Sequence, residues 1–338
     1  MPVLKSSPSW DEDFSLYEKG KKVRGVTMKW QRKDVLGLED MSVEEIREVL
    51  HTAKVMKGIL MRPIKKLPTL KGKSVVNLFY EASTRTRTSF EMAGKVLGAD
   101  TTSIAVAQSS VSKGESLYDT AKTIQAMRAD LVIIRHSSSG SAKFLADILD
   151  AGVINAGDGQ HEHPTQGLLD IFTMEERLGT LEGKNVVIVG DILHSRVARS
   201  NAWGLRKLGA NVTFVGPPTL LPVELEGFGV KLTHDLDEAL PGADIVMALR
   251  LQLERQKSGL FPSLREYSHL YGLTAERLKK TGRQSIVLHP GPMNRGVEIS
   301  DEVADSVDAL IERQVTNGVA IRMALIYLLI GGSGNVVA

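Results

Sequence analysis

The chain contains no cysteine, so disulfides, thiolate metal sites and a thiol nucleophile are all excluded. Long apolar runs are also missing, because the longest one, Ala324–Ile330, is too short to span a bilayer. A net charge of only +2 argues against a general nucleic-acid binder. The first thirty residues lack the apolar core of a signal peptide. We therefore predict a cytoplasmic protein that binds neither membranes nor nucleic acid.

The length and the hydrophobic pattern predict two α/β domains. A chain of 338 residues is too long for one typical core. Short apolar runs alternate with amphipathic segments, which is typical of a doubly wound parallel sheet flanked by helices. We predict an N-terminal extension over residues 1–30, a first domain over 31–165 and a second domain over 166–309. The last segment, 310–338, is predicted to contain a helix that returns to the first domain.

Four strands are predicted in the first series and five in the second. The first four are 74–80, 102–107, 130–135 and 153–156, and the helices between them are 87–98, 116–128 and 142–150. A helix over 164–178 leads to strands 185–190, 211–216, 230–233, 244–249 and 284–289, with helices 195–208 and 263–281. Two further helices are predicted, one capped by Ser42 with Glu45 in a capping box, and one over Thr316–Ile330.

The segment 83–87, Ser-Thr-Arg-Thr-Arg, follows the first strand and opens a helix. A helix start presents unpaired backbone N–H groups and the positive end of the helix dipole, so it favours an anion. Arg85 and Arg87 add cations at that end, which costs stability unless an anion is bound there. This pattern predicts a phosphate or carboxylate site. A plain N-cap with solvated arginines nearby is the alternative.

Other polar residues follow neighbouring strands. The loop Ser109–Glu115 contains one cation, Lys113, and Arg135 ends the next strand. His163 and Gln166 lie one helical turn apart at a predicted helix start. Because ligands collect at the carboxyl ends of parallel strands, we expect these groups to share one site.

Three other kinds of site are weighed and disfavoured. The turn Gly190–Ser195 follows a strand but lacks the second and third glycines of a dinucleotide-binding loop. It does place Ser195 and Arg196 at a helix start, as a second candidate anion site. His161 and His163 have no convincing third ligand nearby, so we predict no metal site. No serine lies in a nucleophile elbow.

With these motifs assembled, the chain resembles the aspartate/ornithine carbamoyltransferase family over about residues 36–329. The resemblance is carried by Phe79–Arg87, His163–Gln166, Val189–Asp191 with Ser195-Arg196, and His289–Pro292. The first two motifs are shared by both branches of the family. Arg196 and Arg250 suit a dicarboxylate such as aspartate, and the Asp-x-x-Asn-Asn and His-Cys-Leu-Pro motifs of ornithine enzymes are absent.

The resemblance implies transfer of a carbamoyl group from carbamoyl phosphate to L-aspartate, without a cofactor, on the route to pyrimidines. It implies catalytic roles for Arg85, Thr86, Lys113, Arg135 and His163. The implied carbamoyl-phosphate contacts are Ser83, Thr84, Arg85, Thr86, Arg135, His163, Gln166, Pro290 and Gly291. The implied aspartate contacts are Lys113, Arg196, Arg250 and Gln252. Gly291 departs from the family pattern, in which a bulkier apolar residue is common.

The resemblance also implies partners. Lys113 is expected to reach into the active site of a neighbouring subunit, which implies a homotrimer with shared sites. The N-terminal extension and residues 289–299 are similar to bacterial forms that assemble with dihydroorotase or a dihydroorotase-like protein. A carbamoyltransferase for another amino acid such as ornithine, and a non-catalytic assembly subunit of the same fold, stay open as alternatives.

Overall fold

The computed structural model describes residues 30–105, 115–252, 260 and 262–331. The first sheet contains four parallel strands in the order β2-β1-β3-β4. These strands are β1 (Ser74–Phe79), β2 (Asp100–Ala105), β3 (Leu131–His136) and β4 (Gly152–Asp158). The helices of this part are α1 (Val43–Leu60), α2 (Thr84–Leu97), α3 (Leu117–Ala126), α4 (Ser141–Ile148) and α5 (Pro164–Leu178).

The second sheet contains five parallel strands in the order β7-β6-β5-β8-β9. They are β5 (Asn185–Val189), β6 (Asn211–Val215), β7 (Lys231–Thr233), β8 (Ile245–Ala248) and β9 (Ile286–Leu288). The helices are α6 (Arg196–Lys207), α7 (Leu236–Ala239), α8 (Leu264–Tyr271), α9 (Ala275–Lys279) and α10 (Asp301–Ala304). Both sheets change strand order next to their first strand, which is where ligands bind in doubly wound folds.

The last helix, α11 (Ile311–Ile330), packs against α1, α2 and α5. Its buried residues include Ile321, Ala324 and Leu325, none of which is measurably exposed. The prediction that the last helix returns to the first part of the chain is therefore confirmed. One apolar cluster joins a face of each sheet through α5 and α11.

The sequence patterns predicted the bounds of most helices and strands to within a few residues. The predicted capping box of α1 is present, since Ser42 Oγ accepts from Glu45 N and Glu45 Oε2 accepts from Ser42 N. The prediction of one helix over 263–281 is wrong, because α8 and α9 are separate. Gly272 has an extended ψ of 130° and ends α8, and Thr274 then caps α9. The short helices α7 and α10 were not predicted.

Within the described ranges, no helix combines the length and the apolar character needed to cross a membrane.

Candidate active site at the carboxyl ends of the strands

The first turn of α2 is built without an internal cap. Ser83 occupies the N-cap position in an extended conformation, and its side chain makes no capping hydrogen bond with a described residue. No acidic side chain lies in this turn. Thr86 is buried, whereas Thr84 and Arg85 are exposed. The backbone N–H groups and the Arg85 guanidinium therefore form a positive end for the helix.

The turn after β9 lies against this helix start. Gly291 has a φ of +63°, and a Cβ atom at that position would overlap the Arg85 guanidinium. The lack of a side chain at Gly291 thus lets the Arg85 guanidinium lie close against this turn. The two predicted groups, 83–86 and 290–291, come together here although about 200 residues of sequence separate them.

A buried histidine holds the turn after β9 in shape. His289 Nδ1 accepts a hydrogen bond from Gly291 N at 2.8 Å, so the ring proton is on Nε2. Nε2 then donates to Glu298 Oε1, 3.2 Å away. Both side chains are about 1% exposed. Hydrogen bonds to backbone N–H groups therefore fix this turn, and with it the direction in which its backbone carbonyls point.

Glu81 lies between two arginines from different sheets. Its Oε2 is 3.3 Å from Arg135 Nε, at the end of β3, and 2.6 Å from Arg196 Nη2, at the start of α6. Gly157 has a φ of +115°, and a Cβ atom there would be 2.9 Å from Arg196 Cζ. The missing side chain lets the guanidinium pass close to β4. Two cations and one anion therefore meet where the two sheets face each other.

His163 is the N-cap residue of α5 and is almost completely buried. Its backbone N–H donates to Ser200 Oγ at 2.8 Å, and its Nδ1 is 3.5 Å from Thr165 Oγ1. Burial and three nearby cations hold the pKa of the imidazole well below its ordinary value of 6.5. The three cations are Arg135, Arg196 and Arg322. His163 is therefore neutral at physiological pH, and its ring can donate one hydrogen bond.

The turn between β5 and α6 is braced from within. Ser195 Oγ accepts from Ala198 N at 3.1 Å, which caps α6. Asp191 Oδ1 lies 2.8 Å from His194 Nδ1 and also accepts the His194 backbone N–H. Gln252, just after β8, donates from Nε2 to His194 O at 3.1 Å. These contacts fix the base from which Arg196 extends.

The predicted residues therefore fall into two neighbouring groups. One contains the start of α2, Arg135, His163, Gln166 and the turn after β9. The other contains Arg196, Arg250 and Gln252, which follow β5 and β8. Glu81 connects the two groups through Arg135 and Arg196. Lys113 lies outside the described residues.

Comparison with known proteins gives this arrangement a family. Residues 33–176 match the domain described as "Aspartate/ornithine carbamoyltransferase, carbamoyl-P binding domain". Residues 182–329 match the Asp/Orn binding domain of the same family. The chain belongs to the aspartate/ornithine carbamoyltransferase family.

Curated relatives in this family are similar over most of their length. The aspartate carbamoyltransferase catalytic subunit of Desulfitobacterium hafniense is 68% identical over 305 residues, which cover 90% of this chain and 98% of the relative. That of Heliobacterium modesticaldum is 62% identical over 308 residues, with coverages of 91% and 99%.

Solved carbamoyltransferase structures share the fold. Aspartate transcarbamoylase from Trypanosoma cruzi, in complex with N-(phosphonacetyl)-L-aspartic acid, superimposes with a TM-score of 0.80 at 29% identity. The alignment covers 90% of this chain and 97% of that one. Ornithine carbamoyltransferase from Pyrococcus furiosus gives a TM-score of 0.80 at 28% identity, with coverages of 91% and 100%.

Two charged residues of the site were missed by the sequence analysis. Glu81 was noted only as part of the Phe79–Arg87 motif. An acid directly after a predicted strand is itself a sign of a site residue, because ligands bind at the carboxyl ends of parallel strands. Arg322 lies on α11, far away in sequence, and its Cζ is 5.0 Å from the centre of the Phe90 ring. Burial lowers the pKa of Arg322 to about 10, which still leaves it charged.

Among the described residues, one group of possible metal ligands lies beside the site. Glu39, His161 and Glu162 bring one ligand atom each within 4.8 Å of one another. The Glu162 carboxylate already accepts hydrogen bonds from Leu38 N, Glu39 N and Ser200 Oγ. These three donors account for the burial of Glu162 without an ion.

Proposed function

We propose that this carbamoyltransferase moves the carbamoyl group of carbamoyl phosphate to the α-amine of L-aspartate, giving N-carbamoyl-L-aspartate and phosphate. This is a reaction of pyrimidine biosynthesis. The observation that carries the proposal is the meeting of an uncapped, arginine-bearing helix start with a second cluster of arginines from the other sheet. Two anionic substrates require such a pair of positive sites next to each other.

The carbamoyl-phosphate side is supported by the start of α2. Ser83, Thr84, Arg85 and Thr86 are proposed to bind the phosphate through backbone N–H groups, hydroxyls and the guanidinium. Arg135, His163 and Thr86 are proposed to contact the carbamoyl oxygen. Gln166 and the carbonyls of Pro290 and Gly291 are proposed to accept hydrogen bonds from the carbamoyl amino group.

The aspartate side is supported by Arg196, Arg250 and Gln252. Arg196 is about 4% exposed and paired with Glu81, so its charge is held in place before any ligand binds. A guanidinium fixed in this way recognises a carboxylate with little loss of side-chain entropy. Lys113 is proposed to join this site from a neighbouring subunit.

The chemistry follows from these positions. The aspartate amine attacks the carbamoyl carbon, and negative charge develops on the carbamoyl oxygen in the tetrahedral transition state. Fixed donors stabilise that charge, and removing one such donor typically costs on the order of 100- to 1000-fold in rate. Because His163 is neutral, we propose that it donates a hydrogen bond and does not act as an imidazolium acid. The bond between the carbamoyl carbon and the phosphate oxygen then breaks, and phosphate leaves toward Arg85 with the proton that the amine loses.

The assembly proposals are a homotrimer with shared sites and a domain movement over the substrates. The proposed division is a first domain of 31–165, completed by 310–338, and a second domain of 166–309. The region 164–183 is the proposed hinge, and the contacts of α5 with both α6 and α11 support it. Assembly with dihydroorotase or a similar protein, a role for the extension 1–30 and a cytoplasmic location stay predictions.

The deciding experiment is a carbamoylation assay on the purified protein. Carbamoyl phosphate is supplied with either L-aspartate or L-ornithine, and both product and phosphate are followed. We expect turnover with aspartate alone. Turnover with ornithine alone would assign the chain to the other branch of the family, and no turnover with either would support a non-catalytic assembly subunit.

A further inference from the structure

A buried network of side-chain amides surrounds the carboxylate of Asp170 on α5. Asp170 is fully buried, and its Oδ1 accepts from Nε2 of Gln166 at 2.9 Å and from Nε2 of Gln314 at 2.7 Å. Its Oδ2 accepts from Nδ2 of Asn201 at 2.8 Å. Amides from three helices, α5, α11 and α6, therefore direct their N–H groups at one carboxylate.

These bonds determine which way two glutamine amides face, because the nitrogen and the oxygen of an amide point in different directions. Gln314 turns its Oε1 toward His289 and accepts that residue's backbone N–H at 3.0 Å. Gln166 turns its Oε1 away from Asp170, and no described residue donates a hydrogen bond to that oxygen. One amide oxygen thus holds the turn after β9, and the other is available to a ligand.

We propose that Asp170 is a positioning residue for recognition of the carbamoyl amino group. It orients Gln166 directly and the turn after β9 through Gln314, so it sets the spacing between the acceptors on both sides of that group. The inference rests on the proposed function, which assigns Gln166 and this turn to the carbamoyl amino group. Asp170 itself contacts no substrate.

The charge of Asp170 supports this role. Burial raises the pKa of the carboxyl to about 6, while the three amides and the Arg322 charge oppose the rise. At neutral pH the group is therefore ionised, and an ionised carboxylate offers acceptors only. Three converging N–H groups need such a partner, because a side chain without acceptors would leave them buried and unpaired.

The test compares carbamoyl phosphate with acetyl phosphate, in which a methyl group replaces the amino group. Binding of each compound to the full-length protein is measured by calorimetry. The ratio of the two dissociation constants reports recognition of the amino group alone, because both compounds carry the same phosphate. We expect the wild-type protein to favour carbamoyl phosphate by at least about tenfold.

The main variant is Asp170→Ala, which removes the acceptor and frees the Gln166 amide to rotate. We expect the ratio to fall by about tenfold, as for the loss of a buried hydrogen bond. Asp170→Asn is the conservative rescue, because its amide oxygen can still accept from both glutamines. Its new N–H group can pair with Asn201 Oδ1, which is buried and has no partner among the described residues, once the Asn201 amide has turned over. We expect this variant to keep the ratio within about threefold.

Thr173→Val is the matched control. Thr173 Oγ1 accepts from Asn317 Nδ2 at 2.9 Å, so the change also cuts a buried bond between α5 and α11, but farther from the site. We expect it to lower stability and leave the ratio unchanged. An equal fall of the ratio in this control would overturn the proposal, since damage to the helix pair would then be sufficient.

The remaining outcomes separate the inference from the proposed function. A wild-type protein that binds both compounds equally would contradict the amino-group contacts of the proposed function, and the inference would fall with them. A folded Asp170→Ala variant with the wild-type ratio would overturn only the inference. If that variant does not fold, Gln314→Met takes its place, because it cuts the link from Asp170 to His289. An unchanged ratio there would overturn the inference equally.

Discussion

The two sheets begin comparable helices in different ways. α2 follows β1 with an N-cap, Ser83, whose side chain makes no capping bond with a described residue. α6 follows β5 with an N-cap, Ser195, that satisfies the backbone N–H of Ala198. The first helix start has no side-chain cap among the described residues, whereas the second has one and presents a side chain, Arg196. The same strand–turn–helix unit is thus built in two ways, which fits the two kinds of anion site that we propose.

The strongest way to break the first site is Arg85→Ala. We expect kcat to fall on the order of 1000-fold, because the charge that stabilises the leaving phosphate is lost. The measurement is steady-state turnover together with a check of the oligomeric state. Arg87→Ala is the matched control, because it removes the other arginine of the same helical turn. The Nε of Arg87 lies 3.9 Å from Glu91 Oε1. Near-normal activity of Arg85→Ala would refute the phosphate site at α2.

A subunit-mixing experiment tests whether Lys113 of one subunit completes the active site of its neighbour. At an aspartate concentration near the wild-type KM, Lys113→Ala and Arg196→Ala are each expected to show almost no turnover, and exchange of subunits between them is expected to restore activity. In a trimer with shared sites, random exchange leaves about a quarter of the sites with both native residues. Verified exchange without recovery would argue against shared sites.

The second site is broken by Arg196→Ala. We expect the KM for aspartate to rise about 100-fold, because a buried, oriented guanidinium is lost, while carbamoyl-phosphate binding changes far less. The two KM values are measured separately. Arg206→Ala, at the opposite end of α6, should change neither. An equal loss of affinity for both substrates would show that the two helix starts do not bind different substrates as proposed.

Replacing each N-cap serine tests directly whether the two helix starts differ in capping. Ser195→Ala should lower the free energy of unfolding by about 1 kcal/mol, because a capping hydrogen bond is lost. Ser83→Ala should leave the stability of the ligand-free protein almost unchanged and raise the dissociation constant for inorganic phosphate about fivefold. Denaturant unfolding and phosphate titration measure the two effects. Equal losses of stability would mean that Ser83 is an ordinary cap.

The smallest expected effect concerns His163, which lies between the two sites. Its pKa is held well below 6.5, so its NMR ring signals should not shift as the pH falls from 7.5 toward 6. The unfolded chain takes up a proton near pH 6.5 and the native chain does not. His163 therefore contributes a loss of stability as the pH falls through that range. A normal titration would contradict a neutral hydrogen-bond donor.

The sequence predicted the parts of the site that depend on local patterns. The start of α2, Arg135 at the end of β3, and His163 with Gln166 at the start of α5 all follow from where strands end and helices begin. The parallel α/β class and the return of α11 follow from alternating and amphipathic patterns. These signals span a few residues each, so they can be recognised without the fold.

The missed parts depend on contacts between distant segments. Gln314 and Asp170 are 144 residues apart, and Arg196 and Glu81 are 115 residues apart. No local sequence pattern predicts that such distant side chains are in contact. The break at Gly272 is a different failure, since apolar spacing continued across it while the backbone became extended. These contacts and this break depend on tertiary packing and not on the periodicity of the sequence.

The packing of α11 has a consequence for the order in which the chain can fold during synthesis. α11 covers α1, α2 and α5, yet it is translated after every strand of both sheets. Strands β5–β9 are complete before α11 is made, whereas α1 and α2 lack one of their packing partners until this helix leaves the ribosome. The apolar faces of α1 and α2 are therefore exposed longest in the nascent chain, which makes them the surfaces that a chaperone would need to protect.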